Sequence, residues 1–446
     1  MKKHNILAIG LMTFAMFLGA GNIIFPPLLG LEAGTHYLPA MLGFLLTAVG
    51  LPALTLIVLG RLSDSGQLTQ ALPKPLAVTF WVLLFTAIGP AFGMPRAVTV
   101  AYEMGIKPFF SGDHLMLFSI FFVGATLLLA FQQGKLVDYI GKIMTPLLVF
   151  MLAALGLAAI ITPLGLLEAP IGDYQHQATT SGLIQGYMTM DAIAAVGFGW
   201  VIIKAIRDTG CSSSRDVFTA TVKVTIIYAV LMSACYLAMA YVGATSASIA
   251  EGATNGGEIL TRYVAAVFGP LGQYLLGAII IMACLTTTVG LTNACAEYYQ
   301  QTFRAPFAFT AAIVTTMTGV IANFGLDHIL AISLPAILVL CPIAIALVLS
   351  ALFLPTTKRY FPVYLVIMAI ALAFGSLDAL NILDLLPGTL SAPLAKHVPL
   401  FAAHASWLLP VFATIAVSKW LSRQTEDDQQ DLVHLANLDG KASNIK

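Results

Sequence analysis

The first long apolar run of the chain, residues 6–30, cannot form one unbroken helix, because its second half reads Gly19-Ala-Gly-Asn-Ile-Ile-Phe-Pro-Pro27. Glycine costs about 1 kcal/mol and proline about 3 kcal/mol against alanine in a helix interior. In a bilayer, each backbone group freed by a break costs several kcal/mol more unless something satisfies it. A membrane helix therefore breaks at depth only where protein, water or a bound solute takes up the freed groups. Such a break points to a binding site near the bilayer midplane.

Composition supplies the bilayer. The chain has 446 residues, 59% of them hydrophobic and 9% charged, whereas soluble domains carry about 25% charged residues. Twelve stretches approach the ~20 apolar residues that a crossing needs: 6–30, 37–60, 76–101, 115–131, 140–162, 184–206, 219–243, 271–297, 306–323, 329–354, 360–376 and 400–421. The expected fold is an all-α polytopic membrane protein. Two long connections, 163–183 and 244–270, are polar with few basic residues, and Ile249 to Val267 is expected to form a short helix over the outer face. The run after Met1-Lys2-Lys3 is too long for a secretory signal and lacks a small-residue cleavage site, so it is expected to be retained as the first span. The polar tail from 423 on is expected to be loosely ordered. The formal net charge is zero, which gives nucleic acid no electrostatic foothold. Cys211, Cys235, Cys284, Cys295 and Cys341 have no paired or metal-type spacing, and no disulfide is expected.

Lysine and arginine set the orientation. With the N-terminus inside, only Lys107, Arg262 and Lys396 fall on the outside, and Arg96 falls within a span. All the rest fall on the inner side. Missing one span would invert every later loop, so this asymmetry supports the even count and two cytoplasmic termini.

A second break is expected in the sixth span, which reads Thr189-Met-Asp-Ala-Ile-Ala-Ala-Val-Gly-Phe-Gly-Trp200. Its Gly197 and Gly199 have a competing reading as close-packing positions. Five spans separate the two breaks, so repeats built on them would run in opposite directions. Residues 1–162 then form a first five-helix repeat broken near 19–22, and 184–354 form its inverted partner, broken near 192–199. Residues 360–421 add two helices, and 422–446 are a cytoplasmic tail.

Paired breaks offer two kinds of group. Half-helix N-termini present free amides that suit a carboxylate, and half-helix C-termini present carbonyls that suit a hard cation. An amino acid zwitterion moving with a cation fits both. Gly19, Ala20, Gly21 and Asn22 are candidate substrate contacts, with Ala192, Ala195, Gly197 and Phe198 on the sixth span. The eighth span places Thr286 and Thr287 one turn after Ala283. Their hydroxyls suit Na⁺, or they simply bond their own helix. Asp191 is an intramembrane acid, and such groups are functional candidates by default; it could equally be a structural helix-end acid. Arg96 either snorkels outward or pairs with an acid such as Asp191 or Glu103 to close the site. Glu297 and Lys204 lie at inner helix ends, where they are candidates for an inner gate.

At these residues the chain resembles a BrnQ-type branched-chain amino acid carrier of the branched-chain amino acid:cation symporter family. The resemblance is carried by Met12–Pro27, Gly89-Pro-Ala-Phe-Gly-Met-Pro-Arg-Ala97, Gly186-Tyr-Met-Thr-Met-Asp-Ala192 and Leu285–Glu297. It implies the LeuT-type fold, a 5+5 inverted repeat plus two extra helices, and uptake of leucine, isoleucine and valine with Na⁺ across a bacterial inner membrane. In the more distant LeuT-type sodium-coupled carriers, positions resembling Ala283, Thr286 and Thr287 hold one sodium together with two backbone carbonyls. Those carbonyls fall at Ala15 and Leu18 here. The same carriers have a Gly-Phe-Gly matching Gly197-Phe-Gly199, whose Phe lines the substrate pocket. Their Thr for a second sodium falls at Ile193, which cannot ligate a cation, so one sodium is expected.

A proton-coupled or broader neutral amino acid carrier is the closest alternative. A channel would need a filter-like repeat or a continuous polar stripe. A membrane enzyme would need a catalytic cluster, and the eight histidines are scattered through loops and termini. Oligomeric state is not set by any of these features.

Overall fold

The computed structural model describes residues 3–62, 65–110, 112–132, 137–211, 213–253, 255–383 and 385–421. The predicted tail 422–446 lies outside the described residues, as do Lys2, Lys135, Arg423, Lys441 and Lys446, which entered the charge asymmetry. No strand occurs among the described residues. Large apolar side chains such as Phe121, Leu128, Phe150 and Ile160 lie on the outer surface, as expected of helices that face lipid tails.

The first apolar run is broken. Helix α1 (Lys3–Phe17) stops, and α2 (Ala20–Ala33) starts after an extended Gly19. The break is narrower than the sequence motif, because Gly21 and Asn22 already belong to the first turn of α2, and Pro26 and Pro27 lie inside that helix. Next, α3 (Tyr37–Leu45) continues through a π-helical segment, Leu46–Gly50, into α4 (Leu51–Leu62). Helices α5 (Lys74–Thr86) and α6 (Gly93–Gly105) meet at a kink where Gly89 leaves helical geometry beside Pro90. Then come α7 (Leu115–Ala130) and α8 (Thr145–Ile161).

The second half opens with α9 (Tyr174–Tyr187) and α10 (Asp191–Asp208), bent by 41°. Helix α11 (Ser214–Ala244) follows, then the long α12 (Gly256–Phe303). The latter bends at Gly269 (φ 62°), just before Pro270. Its portion before the bend is the short helix expected over 249–267, shifted toward the C-terminus. Helices α13 (Phe307–Ala322), α14 (Leu326–Phe353), α15 (Phe361–Ile382), α16 (Gly388–His397) and α17 (Leu408–Leu421) complete the chain.

Among the described residues, seven helices are long and apolar enough to cross a membrane, or up to nine if each bent pair forms one span. Asn5–Phe17, Leu115–Ala130 and Leu408–Leu421 are shorter apolar helices.

The second break is displaced from where the glycines put it. Gly197 and Gly199 lie inside a regular α10. A Cβ at Gly197 would sit 2.5 Å from Ile88 Cδ1, and one at Gly199 would sit 2.3 Å from Leu59 Cδ1. These glycines therefore serve close packing. The chain actually turns at Met188–Met190, where Met190 adopts a left-handed backbone (φ 71°). That conformation is disfavoured for a residue with a Cβ, so the surrounding contacts must impose it. Ile193, where the resemblance places a position for a second sodium, is a buried residue of α10, and an aliphatic side chain offers no ligand to a cation.

Close backbone approach fixes the helices around the breaks. Gly182 and Gly186 form a small-residue pair on α9, facing α3 and the segment after it. A Cβ at Gly182 would sit 1.8 Å from Ala40 O, and one at Gly186 would sit 2.3 Å from Thr47 Oγ1. On α2, a Cβ at Gly30 would sit 1.9 Å from Ala240 O of α11. Both half-helices at the breaks are thus clamped to neighbours.

Candidate functional site

The two breaks face each other across one small internal cavity, lined by residues of α1, α2, α6, α10 and α12. Asn22, in the first turn of α2, links the breaks. Its Oδ1 accepts from Gly19 N at 3.1 Å, which holds the chain in its turn. Its Nδ2 donates to Asp191 Oδ2 at 2.6 Å and also contacts the Tyr236 hydroxyl. Tyr236 Oη, on α11, donates to the same Asp191 oxygen at 2.8 Å. All three side chains are buried. Asp191 is the first residue of α10, where a carboxylate also meets the positive end of the helix dipole.

Arg96 reaches the cavity from α6. It does not snorkel: only 7% of its surface is exposed. Its Nη2 donates to Thr189 O, a carbonyl in the second break, at 3.1 Å. Its Nε is buried with no hydrogen-bond partner. Gly21 makes room for the guanidinium, since a Cβ there would sit 2.9 Å from Nη2. Glu103, the other acid considered for Arg96, pairs instead with Lys107 at 2.6 Å.

On the other side of the first break, α12 approaches the end of α1. Thr286 Oγ1 lies 2.8 Å from Ala15 O and 2.8 Å from Ala283 O. Thr287 Oγ1 lies 3.2 Å from Ala283 O and 3.2 Å from the position a Cβ on Gly19 would take. Both hydroxyls thus make the local bond expected of a membrane threonine, and Thr286 in addition crosses to α1. A hydroxyl has one proton to give and lone pairs to spare. The oxygens gathered here, Thr286 Oγ1, Thr287 Oγ1, Ala15 O and Ala283 O, are neutral and hard. Such a set suits Na⁺ rather than a soft or tetrahedral metal.

The sequence candidates divide clearly. Gly19, Ala20, Asn22, Phe198, Asp191, Arg96 and Thr287 line the cavity. Gly21 adjoins it through Arg96. On α10 the cavity face is Asp191, Ala194 and Phe198, one helical stripe. Ala192, Ala195 and Gly197 are buried in α10 but are not among the lining residues. Phe198 packs edge-on to Phe17 with ring centroids 5.0 Å apart. Glu297 lies away from the cavity, where Lys204 reaches it at 2.6 Å and ties α10 to α12. That pair borders a cleft with Asn5 and Asp208. A second cleft, with Lys107, Glu258 and Asp327, lies beyond the other end of the cavity.

Tyr236 was not anticipated. Its signal was present, because a tyrosine hydroxyl deep in an apolar run needs a partner. Tyr228 stands two turns earlier on the same α11 face, packs on Phe17 and reaches Ala48 O at 3.4 Å.

A cavity between two helix breaks, with clefts toward both ends, in an all-helical chain with seven to nine apolar spans among the described residues fits a polytopic membrane transporter with a LeuT-like fold. Solved structures agree on that fold. The crystal structure of MhsT in complex with L-phenylalanine matches with a TM-score of 0.50 at 17% identity, covering 82% of this chain and 98% of that one. A variant of the Eremococcus coleocola manganese transporter matches with a TM-score of 0.57 at 12% identity, over 93% and 97% of the two chains. At these identities the likeness speaks for fold alone. Residues 2–425 match the family model described as "Branched-chain amino acid transport protein", and the chain belongs to that family. It is 41% identical to the branched-chain amino acid transport system 2 carrier protein of Pseudomonas aeruginosa, over 94% of this chain and 96% of that one. It is 36% identical to the branched-chain amino acid permease BrnQ of Escherichia coli K12, over 94% and 95%. These relatives are named as carriers and permeases, and this protein is a transporter rather than an enzyme.

Proposed function

We propose that this protein is a Na⁺-coupled symporter that brings leucine, isoleucine and valine into the cell across a bacterial inner membrane. The observation that carries the coupling is the approach of Thr286 Oγ1 to Ala15 O at 2.8 Å. It supports reading the oxygens of Ala15, Ala283, Thr286 and Thr287 at the end of α1 as one hard-oxygen cluster beside the cavity. The branched-chain substrates follow from the names of its relatives and suit a cavity with Phe17, Ile88, Phe198 and Leu291 in its lining. In this reading the amides of the first turn of α2 receive the substrate carboxylate, while the break carbonyls and Asp191 face its ammonium group. Sodium at Ala15, Leu18, Ala283, Thr286 and Thr287 favours the state open to the outside. Differential affinity for the two states couples ion to solute.

The same proposal includes twelve crossings with both termini in the cytoplasm. Residues 1–162 and 184–354 act as inverted repeats, and 360–421 flank them. The Lys204–Glu297 cleft then faces the cytoplasm, and the Glu258–Asp327 cleft faces outward. One charge moving through 100 mV contributes about 2.3 kcal/mol, and a tenfold sodium gradient about 1.4 kcal/mol. Together they support roughly 500-fold accumulation for a one-to-one stoichiometry. The test is uptake of radiolabelled leucine into proteoliposomes. An inward Na⁺ gradient should drive accumulation, and a proton gradient alone should not. Equal uptake with the proton gradient alone would reject sodium as the coupling ion.

A further inference from the structure

We propose that Arg96 and Asp191 form a two-point charge clamp for an α-amino acid zwitterion, with Arg96 holding the carboxylate and Asp191 the ammonium group. The inference rests on the reading that the central cavity carries an amino acid, and it assigns the charged partners there. Both side chains line that one cavity, and both are more than nine-tenths buried.

An arginine keeps its charge at all working pH values and offers five N–H donors in a planar fork. A buried charge of this kind is costly unless it is paired and fully hydrogen-bonded. Here one terminal nitrogen is tied to Thr189 O, and Nε has no partner. The close ion pairs among the described residues do not include Arg96 or Asp191. The Thr189 bond therefore steers the guanidinium and leaves donors for an anion. A carboxylate, with its matching two-oxygen edge, is the natural partner of that fork. Gly21 lies against Nη2, so the guanidinium adjoins the first-turn amides of α2, and the two can share one carboxylate.

Asp191 is arranged in the complementary way. Asn22 and Tyr236 both donate to its Oδ2, which locks the carboxylate in place at the cavity wall, where an incoming ammonium group can meet it. A zwitterion would neutralise both buried charges at once. Without solute the two charges act on each other; a solute with only one charge would meet one of them and offer nothing to the other, so the clamp selects for intact α-amino acids.

The test uses the full chain in proteoliposomes and competition against labelled leucine binding. Leucinamide and isoamylamine lack the carboxylate, and 4-methylpentanoate lacks the amine. On the unaltered protein, each should compete about 30-fold or more worse than leucine, as expected for losing a buried charge-assisted contact. Arg96→Gln should weaken leucine and shrink the leucine-to-leucinamide preference at least tenfold, with Arg96→Lys intermediate because it keeps charge but loses the fork. Asp191→Asn should shrink the leucine-to-4-methylpentanoate preference instead. A merely structural role would lower binding of all ligands together and leave these ratios unchanged. Leucinamide competing as well as leucine on the unaltered protein would overturn the clamp without any variant. Leucine binding with an unchanged leucinamide ratio in Arg96→Gln would overturn the clamp and leave the transport reading standing. If the unaltered protein bound no branched-chain amino acid, that reading would fall and the clamp with it.

Discussion

Replacing Tyr236 by phenylalanine isolates one hydroxyl at the junction of the two breaks. The ring is fully buried and packs edge-on against Phe44, with centroids 5.0 Å apart. Phenylalanine keeps that ring and that packing, so no cavity cost accompanies the change. What is lost is the 2.8 Å bond to Asp191 Oδ2 and the contact with Asn22 Nδ2. A hydrogen bond to a charged group contributes about 1.5–3 kcal/mol. Asp191 retains its 2.6 Å bond from Asn22, so the cost should fall toward the lower end of that range. If the network pre-orients Asp191 for the substrate, leucine affinity drops roughly 10-fold or more by the usual arithmetic. A double-mutant cycle with Asp191→Asn gives the sharper readout. In the Asp191→Asn background the Tyr236→Phe change should cost at least about 1 kcal/mol less than it does alone. Leucine affinity within twofold of the unaltered protein, or strictly additive effects in the cycle, would refute a role for Tyr236 in holding the acid.

Other outcomes follow from the same geometry. Thr286→Val keeps the side-chain shape but removes the hydroxyl between Ala15 O and Ala283 O. Half-saturating Na⁺ for leucine uptake should rise at least about tenfold, a loss of about 1.4 kcal/mol for one oxygen ligand of the cation, and an unchanged value would remove this position from the ion site. Gly30→Ala drives a Cβ to 1.9 Å from Ala240 O, so it should lower the melting temperature or abolish a monodisperse product. Gly124→Ala, with open space around its α-carbon, should be neutral or add up to about 1 kcal/mol of stability. Similar thermal stability for the two variants would contradict the packing described for α2 and α11. Lys204→Gln breaks the ion pair with Glu297, whose side chain is only 9% exposed, and leaves a nearly buried carboxylate without its partner. A cysteine placed by Asn293→Cys in that cleft should then label about 2–5-fold faster with a water-soluble maleimide. Unchanged labelling would show that the pair does not hold this end closed.

The first break was legible because Gly19, Asn22 and two prolines crowd one apolar run, and backbone cost in lipid leaves few alternatives. Thr286 and Thr287 were legible because adjacent hydroxyls stand out in an apolar helix. The second break was misplaced for a physical reason. A glycine in a membrane helix is equally at home where the helix breaks and where it packs closely, and Gly197 and Gly199 do the second. The actual turn falls on Met190, a residue with no intrinsic preference for a left-handed backbone. It is imposed from a distance, by Arg96 on Thr189 O and by Asn22 and Tyr236 on Asp191. Such contacts join residues far apart in the chain, and no local pattern announces them. Phe198 lies on the cavity stripe with Asp191 and Ala194, while Ala192 and Ala195 turn away from it on α10.

The central claim is that ion and amino acid share the first helix break and therefore bind with positive coupling. Equilibrium binding of labelled leucine at several Na⁺ concentrations, and of ²²Na⁺ at several leucine concentrations, measures that coupling from both sides. Linkage requires the two factors to be equal. Sodium should tighten leucine binding about tenfold or more, leucine should tighten sodium binding by the same factor, and Thr286→Val should reduce both together. Leucine affinity that does not change with Na⁺ would contradict a shared site at the break between Phe17 and Ala20.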